Sequence, residues 1–423
     1  MNKKLLASQV ADKFCPNFVS SKKCALSILT CSLLLAMGST YAADSQVNSI
    51  ADAITQGSAN VDLNLRYESV DQDNALKDAD ALTLRTRLTF ATAEYYGLTA
   101  LVEFEDSRNL AGVNDYNDAI GNNGAYSVIA DPETTELDQA FLQYKRDAFT
   151  AKVGRQVIAL DNMRFLGHVG WRQDRQTFDA VTMQYAMNDF SVDYGYIYKR
   201  NRIFAEVKDI DSKDHIINAS YNLGFGKLSA YGYLLEEDTN LDNGIDTYGL
   251  RFAGAKDLDK IKLLYTLEYA TQDADTATTS YSADYLLGEV GVGFSGLTFK
   301  LGYEQLGSDN GEYGFATPLA TLHAFNGWSD QFLGTPAQGL VDTYISVGGS
   351  VVGGNWALAY HDFEADESSA TVNDLGDEID AVFSLPINNN YTVGVKYAAY
   401  SAGDASAGKV DTDKVWLWAN AKF

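Results

Sequence analysis

Arginine and lysine recur at alternate positions of a chain that is otherwise acidic. Arg66 stands in the run Asn60–Glu68, Arg85 and Arg87 stand two apart in TLRTR, and Lys145 and Lys152 follow. The segment GRQVIALDNMRFLGHVGWRQDRQTFDA, residues 154–180, adds Arg155, Arg164, Arg172 and Arg175 together with Asp161 and Trp171. A guanidinium is a permanently charged fork for carboxylates. A row of such groups along a conduit lowers the barrier for an anionic solute. The same cations can instead pair with Asp62, Glu68, Glu103, Glu105 or Asp138 and stiffen a wall. The candidate pore-lining and solute-binding set is therefore Arg66, Arg85, Arg87, Lys152, Arg155, Arg164, Trp171, Arg172 and Arg175, with Glu103 and Asp161. Arg155 breaks the alternation set by Lys152, and a bulge at Gly154 is what would turn it inward.

Other chemistry is thinly represented. His168, His215, His323 and His361 are not at metal-ligand spacing. No Gly-x-Ser-x-Gly elbow or phosphate-cradling glycine loop occurs. A Ser–His–acid set is spatial, so spacing does not exclude it. Asp71, Asp73, Asp78 and Asp80 bracket Lys77, and Glu236, Glu237, Asp238, Asp242 and Asp246 surround Asn243–Gly244. Such oxygen donors suit Ca²⁺ or Mg²⁺, but neither run has calcium-loop spacing, and both read as solvated loops. In the stretch 318–339, His323, Phe325, Trp328 and Phe332 offer rings for a sugar face; packing beneath their own loop is the preferred reading. No catalytic residue, metal ligand or cofactor is assigned.

Strands must position these residues. In Asn60–Glu68, Val61, Leu63, Leu65 and Tyr67 alternate with Asp62, Asn64, Arg66 and Glu68. In Ala81–Thr92, Leu82, Leu84, Leu88 and Phe90 oppose Thr83, Arg85, Arg87 and Thr89. This period of two is the strand signature. Continued to Lys414–Phe423, it predicts about 18 strands. Short connections such as 146–148 and 295–296 alternate with long ones such as 106–136, 157–177 and 307–339. That rhythm predicts an all-β, transmembrane antiparallel barrel with short periplasmic turns and long extracellular loops.

The chain ends support the same compartment. Lys3, Lys4, Lys13, Lys22 and Lys23 precede an apolar run, Ala25–Met37, and the small residues of Gly38–Ala42. Residues 1–42 are expected to be a signal peptide, because the apolar run falls short of the roughly 20 residues a membrane helix needs. Residues 43–59 would be a short periplasmic segment, with a helix within 45–56, and residues 60–423 the barrel. All three cysteines lie in the leader, so no disulfide framework follows. The net charge of −25 becomes −29 when the leader's five lysines and one aspartate are removed. This acidity argues against a nucleic-acid partner and suits lipopolysaccharide bridged by divalent cations. The last strand ends on Phe423, and a terminal aromatic on an alternating strand looks like the insertion signal of outer-membrane barrels, expected to be read by the barrel-assembly machinery.

The resemblance is more specific. GRQ at 154–156, LDNMRF at 160–165, GWRQ at 170–173, TFDA at 177–180, TLRTR at 83–87 and PLATLHAFNGWSDQFLGTPAQG at 318–339 resemble the alginate-export type of outer-membrane barrel. This resemblance implies an 18-stranded barrel with an arginine-lined conduit for anionic polysaccharide or sugar acids. The expected function is passive diffusion of hydrophilic solutes across the outer membrane, without catalysis. The alternatives are a barrel-embedded hydrolase, with Ser, His and an acid converging near the rim, and a structural or adhesive barrel whose loops plug the lumen.

Overall fold

The computed structural model describes residues 47–239 and 243–423. The proposed leader lies outside the described residues, as does Asp242 of the second acidic loop. A one-and-a-half-turn helix, α1 (Ile50–Thr55), is capped by Ser49, whose hydroxyl accepts from the Asp52 N–H at 3.0 Å. It is shorter than the predicted span.

Strands follow, with no further helix among the described residues except 3₁₀ turns at Ala205–Lys208, Leu322–Ala324 and Ala405–Ala407: β1 (Ser58–Gln72), β2 (Ala79–Ala91), β3 (Leu98–Asp115), β4 (Thr134–Arg146), β5 (Phe149–Gln156), β6 (Thr177–Met187), β7 (Phe190–Asn201), β8 (Ile210–Asn222), β9 (Gly226–Glu236) and β10 (Gly244–Leu258). Then come β11 (Ile261–Asp275), β12 (Ser280–Phe294), β13 (Leu297–Leu306), the two-residue strands β14 (Ser308–Asp309) and β15 (Tyr313–Gly314), β16 (Leu340–Val351), β17 (Gly354–Glu364), β18 (Asp374–Pro386), β19 (Tyr391–Ser401) and β20 (Thr412–Lys422). All but β14 and β15 belong to one 18-stranded antiparallel sheet, each strand paired with its chain neighbours. The sheet closes where β20 pairs with β1, from Asp62↔Lys422 to Gln72↔Thr412. Phe423 extends that ladder, exchanging both backbone hydrogen bonds with Val61 at 3.0 and 2.9 Å. Closure leaves no open edge, the condition for a sheet to cross a bilayer.

The alternation read in the sequence is the alternation of the wall. Leu65, Leu88, Phe104, Leu267, Leu301, Ile345 and Leu417 are exposed on the outer face. Arg66, Glu68, Arg87, Glu105, Glu268, Glu304 and Trp416 are buried on the inner face. Several strands run past the ends that apolar alternation predicts, Glu105 and Ala270, at the loop side, β3 to Asp115 and β11 to Asp275. Above the lipid the outer face no longer needs apolar side chains, so pairing continues where hydrophobic alternation stops. Outward tyrosines mark that level: Tyr269 donates to Asp284 at 3.0 Å, and Tyr67 and Tyr397 donate likewise to Asp80 and Asp413. An apolar ring topped by a hydroxyl fits the membrane–water interface.

Candidate functional site

Two long loops fold into the lumen and join there. The loop 157–176 leaves β5, and the loop 307–339 leaves β13. Leu166 and Leu319 pair as a parallel bridge. The Gly167 N–H donates to the Leu319 carbonyl at 2.8 Å and the Thr321 N–H to the Met163 carbonyl at 2.9 Å. The Gln176 amide donates to the carbonyls of Gly167 and Leu319 at 2.9 and 3.2 Å. Phe165 packs among Tyr231, Tyr285 and Phe315 at 5.2, 5.2 and 5.9 Å between ring centroids. Part of the barrel interior is thus an apolar core built from loop and wall together, including Leu166, Tyr285, Leu306, Phe315 and Leu319.

The arginines clamp these loops. Arg172 donates to both oxygens of Glu68 on β1 at 3.1 and 3.0 Å and to Asp330 of the second loop at 2.9 Å, with Asp131 at 3.6 Å. Arg66 binds Asp131 and the Trp171 carbonyl. Arg164 meets Glu304 on β13 at 2.8 Å and Asn326 at 2.9 Å. Arg175 holds Glu103 and, at 2.7 Å, Asp138, while Arg87 holds Glu105 with Asp138 at 3.5 Å. Arg85 pairs with Asp62 at 2.7 Å. Asp161 accepts from Asn218 at 2.7 Å, Ser229 at 3.0 Å and Lys227 at 2.8 Å, pinning the start of its loop to β8 and β9. Although burial opposes it, Lys227 and these donors hold the Asp161 carboxyl below its usual range.

Trp171 lies at the junction. Its ring stacks on His323 at 5.0 Å and 11°, and meets Trp416 and Trp418 edge-on at 5.8 and 5.6 Å. Room for Trp418 comes from Gly394 on β19, where a Cβ would stand 2.0 Å from the ring. The Lys396 ammonium sits 3.8 Å from the Trp328 centroid, 4.2 Å from Trp171 and 5.5 Å from Trp416, a desolvated cation–π cage. It donates to His323 Nε2 at 2.8 Å, and His323 Nδ1 donates to Asp330 at 2.7 Å. Burial lowers the His323 pKa to about 3, so the ring is neutral and can do both. Against its own burial, His323, Lys414 and Arg172 hold the Asp330 carboxyl well below the usual range. A His–Asp pair is therefore present, but the second ring nitrogen faces an ammonium and not a hydroxyl nucleophile.

The expected electropositive stripe is altered by this geometry. Arg66, Arg87, Arg164 and Arg172 are buried in ion pairs, because the loops that carry half of the charges fill the lumen beside them. Arg155 is a correction. Gly154 does adopt φ +120°, yet Arg155 keeps the parity of exposed Val153 and forks Asp179 at 2.7 and 3.2 Å, off the lumen side of the wall. The aromatics of 318–339 are also packed: Phe332 lies 4.6 Å from Phe363, and Phe325 lies under Arg164 at 4.7 Å.

A different basic set stands nearer the short turns. Lys152, Lys227, Lys262, Lys300 and Lys422 share the inward parity of their strands and are partly or fully exposed. Lys152 lies 5.0 Å from the Phe141 ring and, among the described residues, has no carboxylate within pairing distance. Of these, only Lys152 was legible as a candidate. The others are single lysines scattered over distant strands, and only closure of the sheet brings them onto one wall. Lys396 was missed for the same reason.

A closed 18-strand barrel with an apolar outer face, a polar interior and two loops folded into that interior is an outer-membrane porin barrel. Residues 55–306, more than half of the chain, match the family described as Alginate export, and the chain belongs to that family. Solved structures agree in fold. The chain is similar to OccAB4 of Acinetobacter baumannii at 16% identity, TM-score 0.68, covering 88% of this chain and 99% of that one. It is similar to the outer membrane protein OpdK of Pseudomonas aeruginosa at 14% identity, TM-score 0.69, covering 86% and 98%. The same protein solved with vanillate gives 14% identity, TM-score 0.66 and the same coverage. No curated protein matches the sequence.

Proposed function

We propose that this porin passes hydrophilic solutes passively and favours anions, with small carboxylates and sugar acids as its substrate class. The observation that carries the reading is the partly solvated lysine set on the turn side of the loop junction, Lys152, Lys227, Lys262, Lys300 and Lys422. Partly hydrated ammonium groups on a low-dielectric wall focus a positive potential into the lumen. The paired arginines serve as the frame that holds the two loops at the junction, and Trp171 lines the approach to it. A carboxylate ligand on OpdK is in keeping with this class, as is the family's name. The outer leaflet's lipopolysaccharide surrounds the barrel, and β20 with Phe423 engages the assembly machinery. The barrel acts without catalysis.

The test is the reversal potential of single channels in a planar bilayer under a salt gradient. An anion preference that falls in Lys152→Gln, Lys227→Gln and Lys300→Gln combined is the expected result. Cation preference in the unsubstituted barrel would remove the lysine reading and leave the acidic groups in control.

A further inference from the structure

Glu105 on β3, Glu136 on β4 and Asp174 of the 157–176 loop each bring a carboxylate oxygen within 4.8 Å of the other two. Asp174 and Glu105 are each 1% exposed, and Glu136 is half-buried. Both oxygens of Asp174 and one of Glu105 have no hydrogen-bond donor. Elsewhere in the same lumen the loop carboxylates Asp131 and Asp330 each accept from two or more donors. The contrast is sharper once neighbours are included. Glu103 and Asp138 bring the carboxylates to five, while the guanidiniums holding this group are Arg87 and Arg175. Were all five ionised, these two guanidiniums would leave three negative charges, with Arg85 and Arg155 already paired to Asp62 and Asp179 and acting on Glu105 and Glu136 only from a distance; uncompensated charge at buried positions is strongly disfavoured.

We propose that Glu105, Glu136 and Asp174 form a binding site for a hard divalent cation, Ca²⁺ being the best fit. The donor set is all oxygen, the preference of Ca²⁺ and Mg²⁺ and not of softer metals. Ca²⁺ takes its ligands at about 2.3–2.6 Å, so oxygens on opposite sides of one ion stand up to roughly 5 Å apart. The three donors lie within 4.8 Å of one another, close enough to share one ion, and Ca²⁺ is favoured over Mg²⁺ because it accepts irregular oxygen geometry and gives up its water more readily. A bound ion would give Asp174 the partner it lacks and tie the 157–176 loop to two wall strands. Protons are the competing means of neutralisation: burial, Glu105 and Glu136 push the Asp174 carboxyl well above its usual range. The two differ in what they respond to.

The refolded barrel, in a zwitterionic detergent free of lipopolysaccharide, is melted by circular dichroism at pH 7.5 in EDTA and over a CaCl₂ titration. The expected result is a rise of about 5 °C at Ca²⁺ roughly 100-fold above its Kd. Asp174→Asn and, separately, Glu136→Gln abolish that rise, and both melt at or above the unsubstituted barrel in EDTA because each removes a repelling charge. The exposed acids around Asp71 and Asp374 are intact in both variants, so a Ca²⁺ shift that survives in them belongs to the surface and overturns the site. Absence of any shift in the unsubstituted barrel also overturns it, and assigns neutralisation to protons alone. Where one variant does not refold, the other provides the comparison.

Discussion

Arg172 and Lys227 both project into the lumen. The Arg172 side chain is 6% exposed among Glu68, Asp131 and Asp330; that of Lys227 is 49% exposed and holds one carboxylate, Asp161. The two cations illustrate what burial does to charge. Withdrawn from water, a guanidinium has to be matched by carboxylates, and its field is cancelled within a few ångströms. Left partly hydrated, an ammonium needs no full complement and keeps a field that a solute can feel. The loop-filled part of the lumen is therefore a framework of charge pairs, and on the proposed reading the turn-side lysines set the selectivity, Lys227, Lys300 and Lys422 each holding one carboxylate.

The comparison breaks most visibly at Arg172. Arg172→Met leaves three carboxylates facing one another with Arg66 and Lys414 as partial compensation, a cost of about 3–5 kcal/mol that the loops can relieve by leaving the lumen. Single-channel conductance is expected to rise and become noisy. Unchanged current with an unchanged melting profile would show that the loops are not held by this clamp.

Acid titration addresses the same frame without mutation. The His323 pKa in the folded barrel, about 3, lies below the ordinary value of 6.5. Its contribution is therefore complete above pH 6.5 and is lost as pH falls from 6.5 toward 3, because the released loop takes up a proton that the packed one does not. By pH 5 the loss is about 2 kcal/mol. Asp174, raised in the folded state, works in the opposite sense, since its penalty is relieved as pH falls. Conductance followed from pH 7.5 to 4.5 should rise in the unsubstituted barrel and respond less in His323→Gln. Equal responses would exclude His323 as the titrating group.

The smallest effect on stability is expected in the turn-side half. Replacing Lys152, Lys227 and Lys300 together by glutamine should change stability by roughly 0.5 kcal/mol per site or less, discounted at Lys227 because exposed pairs are screened. Anion preference should fall roughly twofold or more, a change read from the reversal potential. Loss of folding without loss of selectivity would reverse the roles assigned to the two halves.

Much of the wall was legible in the chain. Leu63, Leu65 and Tyr67 against Asp62, Asn64 and Arg66 marked both faces of β1, and the pairing Asn64↔Arg85 and Asp62↔Arg87 lies in the register closed by the following loop. Alternation along β20 sets Trp416 and Trp418 on the face opposite Leu417, and they form the inner bed of Trp171. The 157–177 stretch stands out by its arginines and its tryptophan, and it is one of the loops that enter the lumen. What could not be read was which acid meets which arginine. Arg172 and Glu68 are separated by 104 positions, Arg172 and Asp330 by 158, and no local pattern links them. Arg155 is expected inward through a bulge at Gly154, but β5 pairs with β4 and β6 without a register shift, so simple alternation keeps it outward against Asp179.

Sequence by itself determined the alternation of apolar and polar side chains, the rhythm of short and long connections, and hence a closed antiparallel barrel in a membrane. Those properties are local: a period of two sorts side chains between lipid and lumen whatever the distant chain does. Tertiary structure determined which lumen charges are spent on one another and which stay open to water. That outcome depends on where two loops, some 150 residues apart, come to rest inside the sheet, and on the low dielectric they create by excluding water there.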